Sequence, residues 1–431
     1  MAEKKLSHDI YIVDGARTPF LKMRERPNPF SATDLAVAAG KALLDRQPFE
    51  PSDIGEVVLG CVMPRESEAN IARVAALRLG CGNKVPAWTV QRNCGSGMQA
   101  IDSAFKDILL GRHDLVLAGG TEAMSRAPLL YSDQFVDWIS SFKAAKTLGK
   151  KAQVLAEFKP NSLMPEAALR KGLSDPLVGL SMGQTAEKLA CQFHISREEM
   201  DQFALRSHER ITKAKEEGRL SNEMAALYDT SGNFYDTDTG ARTDTSLEKL
   251  AKLKPFFDKY GSVTAGNSSQ VTDGAAMLLL ANEDAVKRYN LPILGRIVDV
   301  NWAALAPDVM GLGPIFAATP LMKRQHLTID DIDYWEINEA FAAQVLACVK
   351  GWENDDFCRK ELGLDHKFGS LNLDKLNVDG GAIAVGHPVG ASGARIILHL
   401  LETLKRTNKK RGMAMICIGG GQGGAMLLER V

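Results

Sequence analysis

The sequence predicts an α/β fold made of two related βαβ-type halves with a long segment inserted between them. Three observations carry this. A strand-like run, Val85 to Val90, passes through Asn93-Cys94-Gly95-Ser96-Gly97 into a helical pattern of Met98, Ile101, Ala104, Phe105, Ile108 and Leu109. Near the other end, the apolar, Gly-edged run Gly380–Val385 passes through Gly386-His387-Pro388 into Ile396, Ile397, Leu400, Leu401 and Leu404. Each helix is followed by a strand-like run closing on Gly-Gly, Leu115–Gly120 and Met415–Gly420. Apolar spacing separates strand from helix, and glycine punctuates the joints. A duplicated unit is the economical account, and it brings the helix starts at Cys94 and His387 to one centre. The first half is expected over 1–126 plus 250–291 and the second over 292–431. The insert, 127–249, has irregular apolar periodicity and Gly-, Asp- and Thr-rich stretches.

Composition bounds the function. With 431 residues the chain can form two or three domains, and 45% apolar with 24% charged residues is ordinary for a globular enzyme. A net charge of −1 gives no bulk attraction to nucleic acid or anionic membrane. The basic stretches Lys143–Lys151 and Lys405–Arg411 read as solvated helix faces. No apolar run approaches a membrane span. Seven cysteines without metal-like or disulfide-like spacing favour a reducing compartment and predict no bound metal. With a polar stretch at residues 1–9 that lacks a signal core, this gives a cytoplasmic expectation. Cys61, Cys81, Cys191, Cys348 and Cys358 read as packing residues.

Cys94 lies at a strand-to-helix elbow. The helix dipole and unpaired amides there are expected to favour a thiolate nucleophile. Gly95 and Gly97 would let a substrate reach the backbone. The alternative is a small buried cysteine in a packing turn. Pro388 suits the first turn of a helix, so His387 is expected at a helix N-terminus, neutral and able to act as a base. A lone histidine is otherwise more often structural. Ala414–Ile418 reads as a strand with Cys417 near its end, followed by the turn Gly419-Gly420-Gly421 and a returning strand. A nucleotide-binding reading of those glycines fails because no helix follows. Tyr334–Ile337 reads as a strand, with Asn338 and Glu339 either capping the next helix or facing a site.

Asn93-Cys94-Gly95-Ser96-Gly97, Asn338-Glu339-Ala340-Phe341, Gly386-His387-Pro388 through Ser392-Gly393-Ala394-Arg395, and Cys417-Ile418-Gly419-Gly420-Gly421 occur in this order. Together they resemble the thiolases, over about Ile10 to Glu429. Arg17–Phe20, Gly119–Ser125 and Val263–Ser269 resemble family segments too. The resemblance implies a five-layered α/β/α/β/α core and an inserted loop domain over 127–249 that covers the site and binds coenzyme A. Ser181–Glu187 and Arg197–Asp201 resemble hallmarks of that domain. Arg242 matches a residue at the adenine and phosphate end of coenzyme A. Ser269 matches one at the pantetheine arm, and Met182, Ala265 and Phe341 join the substrate contacts.

The implied reaction is coenzyme-A-dependent cleavage of a 3-ketoacyl-CoA. Cys94 would be the nucleophile, His387 the base and Cys417 the acid/base. His387 with a water held by Asn338 would form one oxyanion site, and the backbone N–H groups of Cys94 and Gly419 the other. Coenzyme A is a cosubstrate, and no permanent cofactor is implied. A homodimer or homotetramer is implied, or a hetero-complex with a hydratase/dehydrogenase subunit. The extra lengths Asp133–Asp175 and Gly351–Leu376 resemble trifunctional-complex β-subunits, although Asn338 stands where those commonly carry histidine. The expectation is an acetyl-CoA C-acyltransferase of fatty-acid β-oxidation. The alternatives are an acetoacetyl-CoA-forming acetyltransferase and a non-catalytic acyl-CoA or lipid carrier. A ketoacyl synthase would have no need of Cys417.

Overall fold

The computed structural model describes residues 9–431, and the stretch 1–8 lies outside them. In chain order the strands are β1 (Ile10–Arg17), β2 (Leu21–Lys22), β3 (Glu56–Gly60), β4 (Ala87–Val90), β5 (Leu115–Ala123), β6 (Leu129–Leu130) and β7 (Glu166–Ala167). They continue with β8 (Leu227–Tyr228), β9 (Phe234–Tyr235), β10 (Thr272–Asn282), β11 (Gly295–Ala304), β12 (Tyr334–Ile337), β13 (Arg411–Ile418) and β14 (Gln422–Glu429). One mixed sheet runs β12-β13-β14-β11-β1-β10-β5-β3-β4, with β2 beside β10. β6 with β7 and β8 with β9 form small separate hairpins. Among the described residues, the two halves of the large sheet join only where Tyr11 and Ile12 of β1 meet Arg296 and Gly295 of β11.

Alternation along the strands builds the layers, because successive side chains point to opposite faces. On β10, Ala275, Met277 and Leu279 pack in one core with residues of the helices Ala32–Leu44 and Ile71–Arg78. Ala276, Leu278 and Leu280 instead face the helices Ser96–Leu109 and Ser392–Thr407. On β13, Ala414, Ile416 and Ile418 face those same two helices. Met413, Met415 and Cys417 face Gly313–Arg324 and Ala342–Glu353. The order is helix, sheet, helix, sheet, helix, with the Cys94 and His387 helices in the central layer.

The duplication is less regular than the sequence repeat implies. Gly380–Val385 does not supply a strand. Ala382–Val385 is a four-residue helix, and the partner that β4 provides to β3 is reduced here to a single bridge from Leu376 to Trp335 on β12. The long helix starts at Ser392, so Pro388 lies in the turn before it and not in its first turn. Within 127–249 two regimes appear. Met182–Gln192 and Arg197–Glu216 bury Ala186, Leu189, Met200, Phe203 and Ala204 in the same core as Ala342–Glu353. Asp133–Ala144 and Leu148–Ala156 bury none of their residues. Among the other cysteines, Cys191 is exposed and not a packing residue. No helix among the described residues is long and apolar enough to cross a membrane.

Buried charges tie this segment to the core. Arg17 bonds Glu223 at 2.6 Å and Asp238 at 2.8 Å. Glu223 meets His399 Nδ1 at 3.0 Å, and Asp379 meets His399 Nε2 at 3.3 Å, Arg406 at 2.6 Å, and Arg219. Burial alone would push the Glu223 carboxyl up, but His399 and Arg17 outweigh it and hold it at about 2. Burial alone would lower His399, but Glu223 and Asp379 raise it to about 10. His399 therefore stabilises the fold fully below its unfolded value of 6.5, and that contribution is lost as pH rises toward about 10. Removing one partner of a buried pair typically costs about 3–5 kcal/mol. Thermal unfolding of His399→Gln is thus expected to show a large deficit against wild type at pH 6 that narrows toward pH 10. An equal gap at both pH values would contradict the charged assignment of His399.

Candidate active site

β4 ends at Val90, and the chain turns sharply before the helix at Ser96. Asn93 makes the turn in the left-handed region at φ 43°, a conformation asparagine tolerates better than most residues. Its Nδ2 donates to Gly419 O at 2.8 Å, tying the Cys94 elbow to the glycine turn between β13 and β14. Ser96 Oγ accepts from Arg92 N at 2.8 Å and donates to Asn93 O at 2.7 Å, closing the elbow on itself.

The His387 elbow packs directly against this one. A Cβ on Gly97 would lie 2.8 Å from Gly390 O, one on Gly393 2.5 Å from Met98 N, and one on Gly120 would collide with Gly390 O. The two helix starts therefore meet backbone to backbone, which only glycine permits. Gly390 N also donates to Glu122 Oε2 at 3.1 Å, and the same carboxylate accepts from Val62 N and Met63 N at 2.9 and 3.0 Å. His387 Nδ1 sits 2.6 Å from Ser392 Oγ.

Asn338 follows β12, and its N–H donates to Met415 O at 3.0 Å, holding it beside β13. Capping is not its role, because the helix begins at Ala342 with Phe341 as an N-cap that makes no side-chain bond. Asn338 Nδ2 lies 3.4 Å from His387 Nε2 and 3.5 Å from Nδ1. Its Oδ1 is buried without a partner. Glu339 accepts from Ser207 Oγ at 2.7 Å, Asn377 Nδ2 at 2.9 Å and Ile383 N at 3.1 Å, clamping the short helix that precedes His387.

Cys417 is buried near the end of β13, close enough to Cys94 that charge on either thiol disfavours charge on the other. The Met182 sulfur stands 3.2 Å from where a Cβ of Gly419 would be. Phe341 makes an edge contact with Phe257 at 5.7 Å and bridges to Ser268, while Ser269 N donates to Ala340 O at 2.9 Å. The structure thus gathers Cys94, His387, Asn338, Cys417, Gly419 and Met182, with Phe341 and Ser269 alongside. Ala265 is exposed on the neighbouring turn. Arg242 lies apart, exposed in an open groove with Leu205, His208 and Thr212, its N–H on His208 Nδ1 at 3.2 Å. Ser392, Glu122 and Asn93 belong to the site although sequence reasoning assigned them no role. Each lay inside a motif whose neighbouring residues attracted the assignment.

Electrostatics corrects one expectation. Burial pushes the Cys94 thiol up to about 11, although the Gly419 N–H bonds the sulfur and pulls the other way. The helix start does not make a resting thiolate. Burial, with the positive charge of Arg395 second, holds His387 at about 3, so it is neutral. Burial likewise raises the Cys417 thiol far above its usual range. The resting site is two thiols and a neutral imidazole. Among the described residues, no group of three or more His, Cys, Asp or Glu side chains could hold a metal ion.

The N-terminal domain model of thiolases matches residues 10–284 and the C-terminal domain model matches 291–430. The chain belongs to the thiolase family. It is 39% identical over 436 residues to the beta-ketoadipyl-CoA thiolase of Pseudomonas aeruginosa, covering 99% of this chain and 100% of that protein. It is 36% identical over 423 residues to the mitochondrial trifunctional enzyme subunit beta of Bos taurus, covering 98% of this chain and 88% of that protein. The crystal structure of human mitochondrial 3-ketoacyl-CoA thiolase in complex with CoA superposes with a TM-score of 0.84 at 38% identity, over 99% of this chain and 98% of that one. This thiolase is therefore an acyltransferase with the five-layered thiolase fold.

A thiol at about 11 has a direct consequence for this thiolase, because only the thiolate is nucleophilic. Iodoacetamide labelling of Cys94, followed by peptide mass spectrometry, is expected to quicken about tenfold per pH unit from pH 7 to 9. A plateau below pH 8 would show that Cys94 rests as a thiolate.

Proposed function

We propose that this thiolase performs coenzyme-A-dependent thiolytic cleavage of 3-ketoacyl-CoA through an acyl-Cys94 intermediate, in fatty-acid β-oxidation. One observation carries the reading: two thiols, a neutral imidazole and the unpartnered Asn338 carbonyl oxygen converge where the backbone of Gly419 is bare. In the first half-reaction the Cys94 sulfur attacks the C3 carbonyl and His387 takes its proton. The C2–C3 bond then breaks, leaving the acyl group on sulfur, and Cys417 protonates C2 of the departing acetyl-CoA enolate. In the second, Cys417 takes the proton of the incoming coenzyme A thiol, whose sulfur attacks the thioester and frees Cys94, to which His387 returns its proton. The developing oxyanions are met by His387 with a water on Asn338 Oδ1, and by the N–H groups of Cys94 and Gly419. Sulfur suits the task because the product is again a thioester.

Neutral resting groups fit this cycle. Proton transfer from Cys94 to His387 becomes favourable only as the carbonyl oxygen accepts charge, so the nucleophile is revealed by its substrate. In this reading coenzyme A runs from Ser269 and Met182 outward past Ala265 toward Arg242, as a cosubstrate and not a resident group. The human relative was solved in complex with CoA, which supports coenzyme A as a ligand of this fold. The bovine relative's place in a trifunctional enzyme supports a hydratase/dehydrogenase partner as one assembly, with a homodimer or homotetramer as the other. Seven free cysteines support a reducing location, which we place in the cytoplasm.

The test is coenzyme-A-dependent thiolysis by the purified chain with a long-chain 3-ketoacyl-CoA, acetoacetyl-CoA and 3-ketoadipyl-CoA in parallel. The highest kcat/KM is expected with the long chain. A clear preference for acetoacetyl-CoA would make the enzyme an acetyl-CoA acetyltransferase, and preference for the dicarboxylate would place it beside the Pseudomonas relative. Cys94→Ala is expected to abolish turnover, and Asn338→Ala to lower kcat by about 10²–10³. Turnover retained by Cys94→Ala would refute the acyl-enzyme route.

A further inference from the structure

We infer that Ser392 is the positioning residue that selects the tautomer of His387, accepting a hydrogen bond from Nδ1–H so that Nε2 keeps its lone pair. The inference rests on His387 being the proton acceptor, as proposed above. The Ser392 hydroxyl is 1% exposed and stands 2.6 Å from Nδ1 of a histidine that is itself 6% exposed, so no solvent competes for the bond. A hydroxyl has one proton to give and two lone pairs to receive with. Ser392 has a second partner for that proton, the Pro388 carbonyl one turn back at 3.1 Å. Serine at the start of a helix commonly donates to such an i−4 carbonyl. With the proton committed there, the oxygen presents a lone pair to Nδ1, and the ring must carry its hydrogen on that side.

The other polar neighbours do not decide the tautomer. Asn338 Nδ2 is almost equidistant from the two ring nitrogens, 3.4 and 3.5 Å, so it lies against the ring face and not in the plane of either lone pair. Arg395 bears on the ring only through its charge, because its Nη1 is bonded to Glu336 at 3.1 Å. One hydrogen bond therefore determines which nitrogen is the base. The same bond gains strength when His387 takes up a proton, since a cationic donor makes a stronger bond to the hydroxyl. The backbone contacts of Gly390 and Gly393 with the Cys94 helix start, and the Glu122 bond to Gly390, fix where Ser392 stands.

The test is nitrogen NMR of histidine-labelled enzyme, with the His387 resonances assigned by their loss in His387→Gln. Wild type is expected to show a protonated Nδ1 and an unprotonated Nε2. Ser392→Ala is expected to shift the population toward Nε2–H and to lower kcat for thiolysis about 10- to 100-fold at little change in KM, the scale of other outer-shell partners. Ser392→Thr, which keeps the hydroxyl, is expected to restore both readouts. An Nε2–H tautomer in wild type overturns the inference. So does a folded Ser392→Ala enzyme whose kcat falls while the tautomer stays as in wild type. If the tautomer responds as expected but wild type cleaves no 3-ketoacyl-CoA, the proposed function fails and the Ser392 assignment stands.

Discussion

The direct backbone contact between the two helix starts of the central layer is the constraint on which the rest depends. Gly97, Gly120, Gly390 and Gly393 carry no side chains to hold those turns apart. Each elbow alone offers one chemical group, Cys94 just before the helix at Ser96 and His387 in the turn ahead of the helix at Ser392. Joined, they bring a half-buried thiol and a buried imidazole together, and the β13–β14 turn closes over them through the Asn93 bond to Gly419. Glu122 and Glu339 then act as clamps, one on Gly390 and one on the short helix before His387. Both are buried carboxylates supplied with N–H donors, which is how such groups are tolerated in an interior.

The same burial that assembles the site sets its charge state. A helix N-terminus favours an anion by at most a kcal/mol or two, whereas taking a thiolate out of water costs more, and here the thiol stays protonated. A neutral site does not react until a substrate carbonyl offers somewhere for charge to go. In the proposed reaction this would keep Cys94 from incidental chemistry and would put the catalytic burden on the oxyanion donors and not on the resting nucleophile.

Much of this was legible in the sequence. The 3.6-residue periodicity after Cys94 and before Leu404 marked the central helices, and the continuous apolar run Ala414–Ile418 marked β13, which is buried on both faces. Cys94, His387 and Cys417 stood out because each sits at a glycine- or proline-marked joint, and Asn338 because it is a polar residue between an apolar strand and an apolar helix. What stayed hidden needed three dimensions. Asn377, at left-handed φ, pairs with both N–H and C=O of Ile337 and so replaces strand pairing near Leu376 by a side chain. Periodicity cannot show that. The charge state of Cys94 depends on burial, to which a linear motif is blind. Ser392 looked like an ordinary small residue at a helix start until the fold placed its oxygen on the imidazole.

Direct capture of the intermediate tests the central claim that the two elbows form one reaction centre with Cys94 as the acyl carrier. Wild-type enzyme, denied the free coenzyme A that the second half-reaction needs, would be mixed with a 3-ketoacyl-CoA, digested at low pH and analysed by peptide mass spectrometry. The account predicts an acyl group of the substrate's chain length, minus the acetyl unit, on the Cys94 peptide, and its absence when His387 is replaced. Acyl mass on another cysteine, or undiminished acylation of Cys94 without His387, would contradict it.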